Sequence, residues 1–326
     1  MSIIRFCSVP VAFFVFFLGF LVSAAVAKAP SEDSQAYAHY MMGVLLDNLN
    51  QPQEALDEFS RAGLYDPRSD NIKVRTAIDY IKLNDKPRAI SVLNEALQVN
   101  PDSLQARTLL AFLYTATGEP QLAEIQYELI LKQAAQTDPQ NLEVHRYLGQ
   151  LYFQQRKFDM ALEQFNFILK SEPKDTDAKL FIGLIYDETG KRKEAIATFK
   201  EILDKEPKSP DALNALGYIY AEAGINLDQA EQLITQALAQ EPENGAYIDS
   251  LGWVYFKKKE FQKAKEQLEK AASLIEDPTI FDHLGDVYLS LNQKDKSKDA
   301  WQKALKLSII KEELKKTIEG KLKLIR

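Results

Sequence analysis

The feature that most limits what this chain can fold into is an internal repeat. Small residues recur at Gly43, Ala77, Ala111, Gly149, Gly183, Gly217, Gly252 and Gly285, in steps of 34, 34, 38, 34, 34, 35 and 33 residues. Three residues after each stands a large one: Leu46 in the first unit, then Tyr80, Tyr114, Tyr152, Tyr186, Tyr220, Tyr255 and Tyr288. Later in each unit an alanine returns, at Ala55, Ala89, Ala123, Ala161, Ala195, Ala230 and Ala264, with Ser297 in the eighth. Four residues beyond it comes a bulky group: Phe59, Leu93, Tyr127, Phe165, Phe199, Ile234, Leu268 and Trp301. Spacings of three and four put side chains on one face of an α-helix, so each unit reads as two helices. Prolines at 67, 101, 139, 173, 207, 242 and 278 are expected to end the second helix of most units, since proline offers no donor and clashes with the preceding turn.

The physical reading of one unit is an antiparallel helix pair. The two small residues meet where the helices cross, and the aromatic and aliphatic groups fill the space beside them. Local punctuation agrees: Ser209-Pro210-Asp211 offers an N-cap, a first-turn proline and a first-turn acid. Two irregularities fit the scheme. The four extra residues of the third unit fall in 132–138 and are close to one turn, so they should lengthen its second helix without rotating the buried face. The extra residue of the sixth falls in the Gly224-Ile225-Asn226 turn, where insertion is tolerated. After the eighth unit, Ile309, Ile310, Leu314, Ile318 and Leu322 mark an amphipathic helix with a lysine-rich outer side, expected to cap the stack over 309–326.

A period near 34 with these positions filled resembles the tetratricopeptide-repeat family, as eight repeats over roughly 36–308. The resemblance implies an all-α, right-handed superhelical solenoid. It also implies a concave groove, lined by the first helices, that binds peptides or protein segments, and it implies no particular partner.

The first 27 residues differ from the rest. Arg5 is the only charge before an apolar run, 11–22, which ends in Ser23, Ala24, Ala25, Val26 and Ala27. A basic start, an apolar stretch and a small-residue end together read as a signal peptide cleaved near Ala27, with a short linker over 28–35. The second reading is an uncleaved inner-membrane anchor over 6–27, long enough to span a bilayer at about 20 residues. Either places the repeats outside the cytoplasm, in the periplasm or cell envelope. In the cleaved form the protein is soluble, and membrane contact runs only through the N-terminal segment if that stays attached. The only cysteine, Cys7, lies before the apolar run, where it does not serve as a lipoprotein cleavage-site cysteine.

Composition narrows function further. Forty Lys and Arg against 47 Asp and Glu leave a net charge of −7, which disfavours nucleic acid, because phosphate binding needs a basic surface. The three histidines, His39, His145 and His283, lie in different units, so none forms a triad or metal pair on one helix. Asp282-His283-Asp286 resembles a metal half-site, but on a helix the two acids share a face and His283 points about 100° away. Gly190-Lys191-Arg192-Lys193 lacks the glycine-rich stretch and the Ser or Thr of a phosphate loop, and Ser250 sits inside a helix with no strand-to-helix elbow. No active site, cofactor site or metal site is expected, and the chain reads as a binding protein rather than an enzyme.

With helices oriented as the family implies, the groove would present Tyr40, Val74, Ile78, Phe112, Phe153, Leu184, Tyr218, Trp253 and Phe256, an apolar and aromatic row suited to anchoring a partner segment. The same positions also suit packing between neighbouring helices. Acids interleave with the row at Asp47, Glu143, Asp177, Asp187, Asp211, Asp249, Asp282 and Asp286; they would favour a ligand of some basic character, and solvated helix surface is the simpler explanation. The stretch 214–305, with Asp249-Ser250-Leu251-Gly252-Trp253 and His283-Leu284-Gly285-Asp286, resembles bacterial envelope tetratricopeptide proteins, including outer-membrane lipoproteins that act as scaffolds for carboxy-terminal processing proteases. That resemblance implies an envelope interaction scaffold, with protease adaptor as one version. An assembly factor for secretion, pilus or polysaccharide export is the alternative, and an enzyme with a site across repeats a more distant one.

Overall fold

A computed structural model of the chain describes residues 31–307 and 312–325. These form seventeen α-helices and no strand. They divide into two compact units that meet between Glu119 and Pro120, inside the third repeat. The first unit holds α1 (Glu32–Asn48), α2 (Pro52–Tyr65), α3 (Asp70–Lys82), α4 (Lys86–Val99) and α5 (Leu104–Thr117). The second begins with α6 (Pro120–Thr137), α7 (Leu142–Gln154), α8 (Phe158–Ser171), α9 (Thr176–Glu188) and α10 (Arg192–Lys205). It continues through α11 (Pro210–Ala223), α12 (Leu227–Leu238), α13 (Gly245–Lys257), α14 (Phe261–Leu274), α15 (Pro278–Ser290), α16 (Lys294–Lys306) and α17 (Glu312–Leu324).

Within each unit the helices pack as pairs, and each pair packs on the next. The crossing is set by the small residue of the first helix and the bulky residue of the second. Phe199 of α10 is fully buried against Gly183 of α9, where an added Cβ would stand 2.7 Å from the ring. Ala195, one turn before Phe199, is equally buried. The pattern repeats with Phe165 on Gly149, Ile234 on Gly217 and Leu268 on Gly252. Tyr127 departs from it, exposed on α6. That helix is terminal in its unit, packs there against α7, and buries only Ala123.

The turn inside each repeat is closed in one way. One residue takes a left-handed conformation: Asn50, Asn84, Gly118, Arg156, Gly190, Gly224, Lys259 and Asn292, all with positive φ. The next residue's N–H then reaches back to the carbonyl of the repeat's large residue, as from Asp85 to Tyr80 at 2.8 Å and from Lys191 to Tyr186 at 2.7 Å. This is a Schellman closure, which satisfies a terminal carbonyl and turns the chain sharply enough to start an antiparallel partner. The insertion in the sixth repeat adds a second left-handed residue, Asn226, as the N-cap of α12. The longer third repeat gives α6 18 residues, against 14 in α2, α4, α8 and α10.

Two boundaries differ from the sequence reading. The helix α1 starts at Glu32, inside the stretch read as linker, because the Ser31 hydroxyl accepts from the Ser34 N–H and two acids occupy the first turn. Pro278 does not end a helix; it opens α15, with the Asp277 carboxylate capping the Thr279 N–H. At the far end α17 lays fully buried Ile318, with Leu314 and Leu322, against a core that includes Trp301. Ile309 and Ile310, the segment 1–27 read as a signal peptide and residues 28–30 lie outside the described residues.

The first unit buries a carboxyl pair. Asp79 of α3 has no exposed surface, and ionised it would leave both oxygens without a donor. Burial, and then the neighbouring Asp47 of α1, push the Asp79 carboxyl up to about 8, so at neutral pH it keeps its proton and donates it to Asp47. Burial also acts against Asp47, but the Asp79 proton and the ammonium of Lys82 hold it below its usual range, with Arg75 at 3.9 Å.

Three outcomes are expected. Replacing Gly183 by Ala forces Phe199 from its slot and should cost about 1–3 kcal/mol in urea unfolding; an unchanged midpoint would refute the crossing argument. Lys259, exposed at φ 62°, should be relieved by Lys259→Gly, raising stability by about 1 kcal/mol. For Asp79 the raised pKa means that its stabilising effect is complete below about pH 4 and fades as pH rises toward 8. Between pH 6 and pH 9 the natural protein should therefore lose about 1–3 kcal/mol more than the Asp79→Asn variant, read by circular dichroism in urea.

Candidate protein-binding site

The crossing geometry consumes the inner faces of both helices of a repeat, so free side chains on the inner wall of the second unit come from first helices. Helix α9 presents Leu180, Leu184 and Asp187 at helical spacing. Helix α11 presents Asp211, Asn214 and Tyr218, and α13 presents Ala246, Asp249 and Ser250. Together with residues at the start of α15 they line a cavity of about 430 Å³.

Of the nine residues read as groove-facing, this cavity gathers two, Leu184 and Tyr218, both half-buried. Trp253 is 7% exposed and packs inward: its ring stacks on Phe256 at 4.7 Å and on His283 at 3.9 Å, and its indole N–H is held by Glu222. Phe153 leans edge-on to Phe181 at 5.6 Å. In the first unit Val74 is buried at 2%, Ile78 is half-buried, and Tyr40 lies beside Phe59 at 5.8 Å. Tyr40 also borders a separate 350 Å³ cavity with Tyr37 and Asp66. Phe112 is 59% exposed on α5. Val74 and Trp253 are thus core residues; Trp253, in the position after the small residue, is covered because the next first helix offers it the flat ring of His283.

The acids of the cavity differ in what they hold. Asp211 accepts the Tyr247 hydroxyl at 2.5 Å, Asp249 pairs with His283 at 2.9 Å, and Asp277 caps α15. Asp187 makes no hydrogen bond or ion pair among the described residues. Burial raises its pKa, with Glu188 and Glu222 adding to the effect and Arg192 opposing it. Tyr218 carries its hydroxyl into the same acid field and likewise lacks a partner among the described residues. Burial first, and then Glu222, Asp249 and Asp187, hold it well above the usual phenol range. Burial opposes a charge on His283, but Asp249 outweighs it and leaves the pKa raised.

The residues that resembled a metal half-site serve the cap. The ammonium of Lys321 on α17 bridges Asp282 at 2.7 Å and Asp286 at 2.8 Å, while His283 turns to Asp249. The Ser250 hydroxyl donates to the Ala246 carbonyl at 3.0 Å, a back-bond within its own helix. No cluster of His, Cys, Asp and Glu suited to a metal occurs among the described residues.

The repeat geometry agrees with two family comparisons. A family described as tetratricopeptide repeat matches residues 74–139. The family described as Psidin, N-terminal TPR repeats region, matches residues 150–318, just over half of the chain. The chain belongs to this tetratricopeptide-repeat family. Among solved structures, a tetratricopeptide repeat protein from Parabacteroides merdae is similar at 20% identity and a TM-score of 0.57, over 77% of this chain and 97% of that one. A thermophilic tetratricopeptide protein of Thermus thermophilus is similar at 22% identity and a TM-score of 0.50, over 56% of this chain and 98% of that one. Both likenesses concern the fold. No curated protein sequence matches this tetratricopeptide chain.

Proposed function

We propose that the protein is an exported interaction scaffold that holds a segment of a partner protein in the cavity lined by α9, α11 and α13. The observation that carries this reading is the cavity itself. It lies mostly on first-helix surface, where Leu180 and Leu184 rest on the core with one side and border the cavity with the other, beside Asp187 and Tyr218, whose polar atoms have no partner among the described residues. A volume of 430 Å³ lies within the usual range for ligand sites, about 300–1,000 Å³. The activity in this reading is binding; the Ser250 hydroxyl of the lining is held by the Ala246 carbonyl of its own helix.

Export rests on the N-terminal sequence: Arg5, the apolar run 11–22 and the small residues 23–27. Among the described residues no helix is long and apolar enough to cross a membrane. The words shared over 214–305 with envelope scaffolds of carboxy-terminal processing proteases favour an envelope protease adaptor as the specific role.

A photoreactive residue at Leu184 or Tyr218, in cells of the native host, tests the site. Both positions should trap the same envelope protein, the adduct should vanish when Asp is placed at Leu180, and Lys200 on the outer helix α10 should trap nothing comparable. Equal trapping from Lys200 would refute the cavity as the docking site. The N-terminal residue of the purified protein tests export, with Lys28 expected.

A further inference from the structure

The charged side chains that line the cavity are all acidic, set among apolar ones. No lysine or arginine lines it, while four aspartates do: Asp187, Asp211, Asp249 and Asp277. Three of these are engaged by Tyr247, His283 and the α15 N-terminus. Asp187 alone is half-buried without a hydrogen bond or ion pair among the described residues, with Arg192 acting on it only through the field, an arrangement that a cation placed beside it would relieve.

A second, independent observation lies on the facing helix. The Asn214 side chain on α11 lines the cavity, and its Oδ1 is sealed from solvent with no hydrogen-bond donor. A sealed amide oxygen without a donor costs about 1–3 kcal/mol. Turning about χ2 toward a donor inside the cavity would relieve it. One helical turn on, Tyr218 lines the same cavity, and its hydroxyl proton has no acceptor among the described residues either. Beside these polar groups, Leu180 and Leu184 of α9 form an apolar wall.

We infer that the cavity receives one lysine or arginine side chain of the docked segment, its methylene stem along Leu180 and Leu184 and its cationic head between Asp187, Asn214 and Tyr218. This rests on the segment-binding reading above and specifies it. A cation with three to five N–H donors and no acceptor matches a site of acceptors, and its aliphatic stem matches the apolar wall. A carboxylate or phosphate ligand would meet four aspartates and no basic group, so acidic segments are rejected.

The test is a positional library of nine-residue peptides, capped at both ends, presented to the full chain. Wild-type protein should enrich Lys or Arg over Gln and norleucine at one position by about ten- to a hundredfold. Asp187→Asn and Tyr218→Phe should each cut that enrichment to threefold or less. Neither carboxylate nor hydroxyl has an internal partner, so neither variant should lower the melting temperature. Cadaverine, a free diamine of the same chemistry, should compete only at millimolar concentration. Peptide binding with no preference for a cation overturns the inference and leaves the docking reading intact; absence of peptide binding overturns both. Cadaverine binding more tightly than any peptide assigns the acceptors to a free amine and overturns the protein source. Enrichment that persists in Asp187→Asn and Tyr218→Phe places the cation elsewhere and also overturns the inference.

Discussion

Everything in the described structure depends on one close contact repeated along the chain: a residue with almost no side chain on a first helix, met by a large one on the second. At Gly183 the backbone of α9 is itself the floor on which the Phe199 ring lies. Close packing leaves no slack there. Because the helices approach through a glycine or alanine, their separation and crossing are fixed by backbone rather than by adjustable side chains. The next pair then finds the same surface to stack on. The Schellman turn is the partner device. It delivers the second helix at the correct angle, and its closing bond accepts at the carbonyl of the large residue three positions after the small one, so crossing and turn are keyed to the same stretch of each first helix.

This coupling explains why the fold was legible and the site much less so. Gly183, Tyr186, Ala195 and Phe199 occupy positions that backbone geometry dictates, and such positions recur with the period of the helix pair. Groove-facing positions have no such constraint. Trp253 and Tyr218 occupy the same register, one residue after the small one, yet Trp253 lies between Phe256 and His283 while Tyr218 borders a cavity. What separates them is the neighbour on the following first helix: His283 offers Trp253 a flat partner 3.9 Å away. The identity of that neighbour is a matter of pairing across 30 residues, which periodicity does not encode. Asp187, Asp211 and Asp249 were visible as interleaved acids but not as one occupied set with a single member left over.

Polar groups buried in the two units show two ways of meeting the same cost. In the first unit Asp79 avoids an unpaired charge by keeping its proton and giving it to Asp47, whose own charge is held by Lys82 and Arg75. Near the C-terminal end Asp282 and Asp286 are answered by a real cation, Lys321, which ties the cap α17 to α15 and converts two inward acids into a clamp. Asp187 uses neither device. Its pKa is raised by burial, yet it has neither a proton-sharing carboxyl nor a lysine of its own chain beside it.

The contrast bears on why the cavity lies where it does. A repeat offers its first helix at spacings of three, four and seven residues, so each contributes about three side chains to the inner wall. In the seventh and eighth repeats those side chains are spent internally: Asp249 on His283, Trp253 on His283 and Glu222, and Asp282 and Asp286 on Lys321. In the fifth and sixth, Asp187, Tyr218 and the Asn214 Oδ1 have no such claims on their polar atoms. An array built from one repeated crossing has no need of unpaired polar groups anywhere. Asp187, Asn214 and Tyr218 stand together on two adjacent first helices, beside an apolar wall and next to helices that spend Asp249, Trp253 and Asp282 internally, which is what a site for an external cationic side chain requires.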